Sequence, residues 1–274
     1  PLILILLGIS LIPVKDYLKL IFSVASIGLA ILLVNQYDKT GYYSFGWDNH
    51  NNRIERSDEN EEWSESSEAQ ELFQSFDSTI QRVTLNLDAA AGDFRISDTV
   101  APDKLITFEK KGTIGNYSMT TEGEGAEREI NLKIEDSKVK IHNTGMRVKL
   151  GLHKAPVWDC NFDIGAANID FDLSPYKLDK LSIDGGASSI KVRLGDLNPL
   201  TEVDIDAGAS SISIDIPKNS GAEITTETVL SSRRFDGFRK AGDGIYRTDN
   251  YNSAARKIRI SVDAGVSSVD VNRY

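Results

Sequence analysis

The chain has 274 residues, 31 basic against 41 acidic side chains, a formal charge of −10 and 40% hydrophobic content. That length suits one or two domains with enough chain to bury a core, and the acidic balance argues against a nucleic-acid partner, which needs a basic face to displace counterions from phosphates. A single cysteine, Cys160, excludes an intramolecular disulfide and any multi-cysteine zinc site, and three histidines (His50, His142, His153) leave little for metal or acid–base chemistry.

Residues 1–36 read as a transmembrane hairpin. Pro1–Pro13 (PLILILLGISLIP) is uncharged, and after Lys15, Asp16 and Lys19 a second apolar run covers Leu20–Val34. A spanning helix needs about 20 mostly apolar residues, so both runs are short, and the first is read as the surviving part of a longer or trimmed helix. Tyr17, Asn35 and Gln36 suit the interfaces, and Lys19 can snorkel. A secretory signal peptide would show a basic start, one apolar stretch and a cleavage site, and a buried hairpin would be an odd core for an acidic β-rich chain. Lys15 and Lys19 oppose Lys39, Arg53 and Arg56, so charge assigns no orientation.

Residues 37–80 read as an acidic linker, with eleven acidic and three basic side chains from Asp38 to Ile80. The densest part, SDENEEWSESSEAQE (57–71), repels itself and holds few apolar residues to offset ordering. A spacer fits this composition; a docking strip for a basic partner, anchored by Trp63, is the alternative. Within it, Glu65–Phe76 is expected as a short helix presenting Leu72, Phe73 and Phe76.

Residues 81–274 carry an internal repeat. Its five copies are LNLDAAAGDFRI (85–96), CNFDIGAANIDF (160–171), LSIDGGASSIKV (181–192), VDIDAGASSISI (203–214) and IRISVDAGVSSVDV (258–271). The middle copies are 21 and 22 residues apart, too close for β-α-β units and right for coils of a β-solenoid. Apolar positions alternate within each copy, then resume with opposite parity seven residues after Leu87, Phe162, Ile183, Ile205 and Val262. An odd gap keeps one face inward only if the chain bends or bulges there. Each copy is therefore strand, corner, strand. Gly165, Gly186, Gly208 and Gly265 mark the corner, with Ala90 in the first copy.

Two positions before that residue stands an aspartate in every copy: Asp88, Asp163, Asp184, Asp206 and Asp263. In adjacent coils these carboxylates would stack about 4.8 Å apart. The structural expectation is that each accepts hydrogen bonds from its own corner's N–H groups. The alternative is a calcium ladder on Asp163, Asp184 and Asp206, although the spacing differs from glycine-rich calcium repeats.

Val100–Gly151 interrupts the repeat with LITFEKKG, YSMTT, EINLKIE and KVKIHN, and reads as a β insertion or lid. Ser231–Ser253 reads as a basic, aromatic loop before the last copy. It is either an end cap for the solenoid or a partner-binding rim built on Arg233, Arg234, Phe235, Phe238, Arg239 and Tyr246. There is no phosphate-loop motif and no histidine pair at ligand spacing, and Cys160 aligns with inward-facing Leu181. We therefore expect neither enzymatic activity nor a cofactor. The fold class expected is all-β, a single-chain β-solenoid behind an N-terminal transmembrane segment.

An N-terminal apolar hairpin followed by D-x-G-A-S-S-I repeats resembles the LiaF-like, toast-rack family of adhesin-type and regulatory proteins of the bacterial envelope. The stretch GFRKAGDGIYRTDNYNSAARKIRISVDAGVSSVDV (237–271) is similar to that family's C-terminal coil. The resemblance covers residues 1–36 and most of 80–274; the acidic linker has no counterpart. It implies a protein integral to the bacterial cell membrane that restrains a sensor histidine kinase, or contacts another membrane protein, in an envelope-stress response. It leaves open an adhesive or structural role, and a homo-oligomer.

Overall fold

The computed structural model describes residues 69–112, 115–135 and 146–274. These lie in the second of two units into which the chain divides, Glu62–Tyr274. The hairpin expected at 1–36 and most of the 37–80 stretch lie outside the described residues, as does the segment KVKIHN.

Thirteen strands are described, and no helix among those residues is long and apolar enough to cross a membrane. In chain order they are β1 (Ala69–Ser75), β2 (Arg82–Thr99), β3 (Lys104–Lys111), β4 (Tyr117–Glu122), β5 (Glu127–Ile134) and β6 (Arg147–Leu152). Then follow β7 (Val157–Asp172), β8 (Lys177–Arg193), β9 (Leu200–Ile216), β10 (Gly221–Phe235), β11 (Phe238–Gly242), β12 (Ile245–Thr248) and β13 (Lys257–Arg273).

The five copies are the long strands β2, β7, β8, β9 and β13, and each one bends. In β8, Leu181, Ile183 and Gly185 are buried, Gly186 and Ala187 are both exposed, and burial resumes at Ile190 and Val192. Two successive outward residues supply the parity change that the sequence requires. A straight strand of 17 residues would run about 56 Å, yet residues 194–199, which join β8 to β9, reach at most about 25 Å. Each strand therefore doubles back, and its two arms close on one interior. Phe162 on the first arm of β7 meets Phe171 on its second arm, ring centroids 4.8 Å apart.

The coils stack in parallel register in the order β2-β7-β8-β9-β13-β10. Inward rows such as Leu85, Cys160, Leu181, Val203 and Ile260 run through the stack as a continuous buried core. Arg82 ties three coils from outside, donating to Asp159 at 2.8 Å and Asp179 at 2.7 Å.

Several expectations are corrected. β10 is a sixth coil that the repeat pattern did not reveal, and the last copy, β13, lies between β9 and β10. The expected loop Ser231–Ser253 is the end of β10 followed by the hairpin β11–β12, which pairs with the first arm of β10.

The insertion at 100–151 is no lid. β5 pairs with the first arm of β2 and β6 with its second, so together they form one more layer, cut at the corner. Antiparallel β4 and β3 extend the two arms, and β1 pairs with β3. The short helix expected at Glu65–Phe76 is instead strand β1 over its described part, because the half-buried positions Gln70, Leu72 and Gln74 alternate with period two. The Gln70 side chain closes this end of the domain, donating to the Tyr117 carbonyl at 2.7 Å and accepting the Tyr117 N–H at 2.8 Å.

Candidate functional site

The register places Asp88, Asp163, Asp184, Asp206 and Asp263 in one outward row, continued by Glu227. All five aspartates are exposed. The expected hydrogen bonds from the corner N–H groups are not formed: among the described residues, no hydrogen bond or ion pair reaches these carboxylates. A neighbouring row is built differently. Asp159, Lys180, Glu202, Arg259 and Glu223 alternate in sign, and Arg259 donates to Glu202 at 3.4 Å. The aspartate row thus carries like charges in register, an arrangement that costs stability. Among the described residues, no group of three or more His, Cys, Asp or Glu side chains is placed to hold a metal ion.

The corner glycines owe their place to the neighbouring coil. None of Gly165, Gly186, Gly208 and Gly265 has a left-handed backbone. A Cβ on Gly186 would stand 2.7 Å from the Gly165 carbonyl oxygen, and one on Gly208 2.7 Å from that of Gly186. Inside the corner, the Ser188, Ser210 and Ser267 hydroxyls form a second row, buried and without hydrogen-bond partners.

Beside the aspartates runs an amide ladder that sequence reasoning missed. Asn161 donates to Asn86 at 2.8 Å, and Asn86 donates to Asn131 at 2.9 Å. The Asn between the two apolar residues of LNLD and CNFD is its signal. The ladder and the acid row line a shallow groove of about 270 Å³ with Lys133. On the second arm, Arg95, Asp170, Asp172, Lys191, Arg193 and Asp215 line another of about 240 Å³.

The rim residues come together at the far end of the stack. Phe235, ending β10, meets Tyr246 of β12 edge-on at 4.9 Å and Phe238 of β11 at 6.2 Å. All three are half-buried and pack on the core. Arg233 occupies the inward column of Ile169, Ile190, Ile212 and Val269, yet it is exposed because this arm ends the described stack. Arg234 faces Asp270 at 3.9 Å and Arg239 pairs with Asp249 at 2.9 Å, both in solvent. The aromatics close the core, while the arginines remain at the surface. Cys160 is fully buried, and burial pushes its thiol pKa up, away from a reactive thiolate.

Comparison with known proteins agrees with this geometry. Residues 54–215 match the family model described as the N-terminal domain of toast_rack, DUF2154. No curated protein matches the chain. Among solved structures, the chain is similar to a candidate cell adhesion protein from Clostridium sporogenes, with TM-score 0.69 and 18% identity over 76% of this chain and 100% of that one. A candidate adhesin from Bacteroides fragilis aligns at TM-score 0.28 and 10% identity, over 76% and 98% of the respective chains.

Proposed function

We propose, starting from the fact that this chain belongs to the toast-rack family, that it is a membrane-anchored, non-enzymatic interaction module of the bacterial envelope. In this reading residues 1–36 hold it in the bilayer, and the β domain senses or regulates envelope stress through protein–protein contacts. The observation that carries the reading is the in-register stack. It fills its own interior with side chains and turns two broad, rigid faces of repeated side-chain rows outward. Such faces suit macromolecular contact, whereas small-molecule pockets are typically about 300–1,000 Å³ and concave. The uncharged runs Pro1–Pro13 and Leu20–Val34 support the anchor.

An adhesive or structural module of the envelope is the second reading, favoured by the Clostridium sporogenes protein described for cell adhesion. Photo-crosslinking in native membranes separates the two. A crosslinking residue at Arg234 or Arg239 should trap a membrane protein such as a sensor histidine kinase, well above a control at Ser213, and loss of the chain should shift an envelope-stress reporter. Crosslinks only between copies or to surface material, with an unchanged reporter, favour the adhesive reading. Equal trapping at rim and control refutes the rim.

A further inference from the structure

β1 is an edge strand with β3 as its hydrogen-bonded neighbour, and edge strands belong to the low-stability end of a domain. It is also the described strand closest in sequence to the acidic stretch. Phe76, just past its end, stacks on His153 with centroids 3.8 Å apart and planes at 16°. The Phe76 N–H donates to the Asp103 carbonyl at 2.8 Å.

His153 is half-buried and bonded through both its ring and its backbone. Its Nδ1 accepts the Ala155 N–H at 3.1 Å, and the Pro102 backbone beside the ring favours its protonated form, though less than burial opposes it. Its own carbonyl accepts the indole N–H of fully buried Trp158 at 2.8 Å, and its N–H donates to Leu105 at 2.9 Å. One neutral imidazole thus joins the end of β1, the loop before β3 and the connection from β6 to β7. The surrounding charges do not serve the ring. Asp77 accepts from Thr79, Lys104 lies over Phe73 at 4.8 Å, Lys177 donates to the Ala155 carbonyl at 2.9 Å, and Asp103 and Lys154 are exposed. Among the described residues no carboxylate pairs with the imidazole.

We propose that His153 is a pH latch: its protonation loosens β1, so that the strand through which the N-terminal stretch enters the domain docks at neutral pH and frays in acid. A proton on Nδ1 turns the acceptor of the Ala155 N–H into a donor, so two donors face each other. Burial already lowers the His153 pKa below its ordinary 6.5. The stability supplied by the neutral ring is therefore complete above that ordinary value and is lost as pH falls through the lowered one. To part those donors the ring must leave its seat, which takes its face off Phe76 and frees the end of β1; a cationic ring that kept its seat would instead tighten β1 in acid.

Hydrogen exchange of the full chain in detergent, at about pH 7.5 and about pH 5 and corrected for intrinsic rates, tests the latch. The amides of residues 70–76 that bond to β3 should lose protection severalfold in acid while those of β8 do not, and His153→Gln should abolish the response. Equal protection at both pH values, greater protection in acid, or an unaltered response in His153→Gln would overturn it. Should that variant not fold, NMR titration of the wild type decides. The His153 ring signals and the β1 amides must share one midpoint, and separate midpoints refute the latch.

Discussion

One methyl group at Gly186 tests whether the corner glycines serve close approach between coils. Gly186 has no left-handed backbone, so alanine brings no strain of its own. Its Cβ would stand 2.7 Å from the Gly165 carbonyl oxygen, closer than side chains normally come, so one coil must yield by several tenths of an ångström. That movement is resisted, because β7 and β9 pair with β8 on both sides along its length. Overpacking of this kind costs about 1–3 kcal/mol, and the lower entropy of the unfolded alanine chain returns about 0.4–1 kcal/mol. The net loss is about 1–2 kcal/mol, or a fall in Tm of about 2–8 °C for a domain of this size. Gly242→Ala is the matched control. Its Cβ meets the Ile245 side chain at an ordinary 3.5 Å, so it should leave Tm unchanged or slightly raised. Thermal unfolding followed by circular dichroism makes the comparison. If Gly186→Ala proves as stable as Gly242→Ala, the steric account of the corner is wrong.

Asp184→Asn should stabilise by about 0.2–1 kcal/mol at low salt, by relieving repulsion along its row, and the gain should vanish near 1 M salt; a loss would mean the carboxylate holds a corner N–H. Ser210→Ala should be neutral or stabilising in urea unfolding, since the hydroxyl is buried without a partner, and a loss above about 1 kcal/mol would indicate a bridging water. At the rim, Arg239→Ala removes only an exposed ion pair and should cost less than about 1 kcal/mol, whereas Phe235→Ala should cost about 2 kcal/mol by uncovering the core. Cys160 should resist thiol reagents until the domain unfolds, and labelling at the rate of an exposed thiol in the native chain would contradict its burial.

The repeat was legible because its signals are local and periodic. The parity change after Leu87, Phe162, Ile183, Ile205 and Val262 predicted bent strands around one interior, and the aspartate and glycine columns set their register. β10 was missed because Glu227 and Val229 stand where the other coils carry Asp and mostly Gly; Ser231 and Ser232, in register with Ser267 and Ser268, were the surviving trace. The placement of β13 between β9 and β10 is a choice of non-local pairing, which no local pattern encodes. The period of two in β1 is hidden behind polar residues, because its inward positions include Gln70 and Gln74, whose side chains bond to β4. The reason for the corner glycines was also out of reach. It lies in the carbonyl of another coil, not in the dihedrals of the turn.

The rim residues were found by composition, and the structure divides them by task. Phe235, Phe238 and Tyr246 close the core, while Arg233, Arg234 and Arg239 are exposed. Arginine variants are therefore the cleaner probes of partner binding, because they leave the cap intact.

The central functional claim is anchorage of this β module to the membrane, and alkaline carbonate extraction of cell membranes tests it most directly. The full chain should remain in the pellet, and a chain lacking residues 1–36 should move to the supernatant. Release of the full chain by carbonate would contradict the anchor and leave the β domain without a tether.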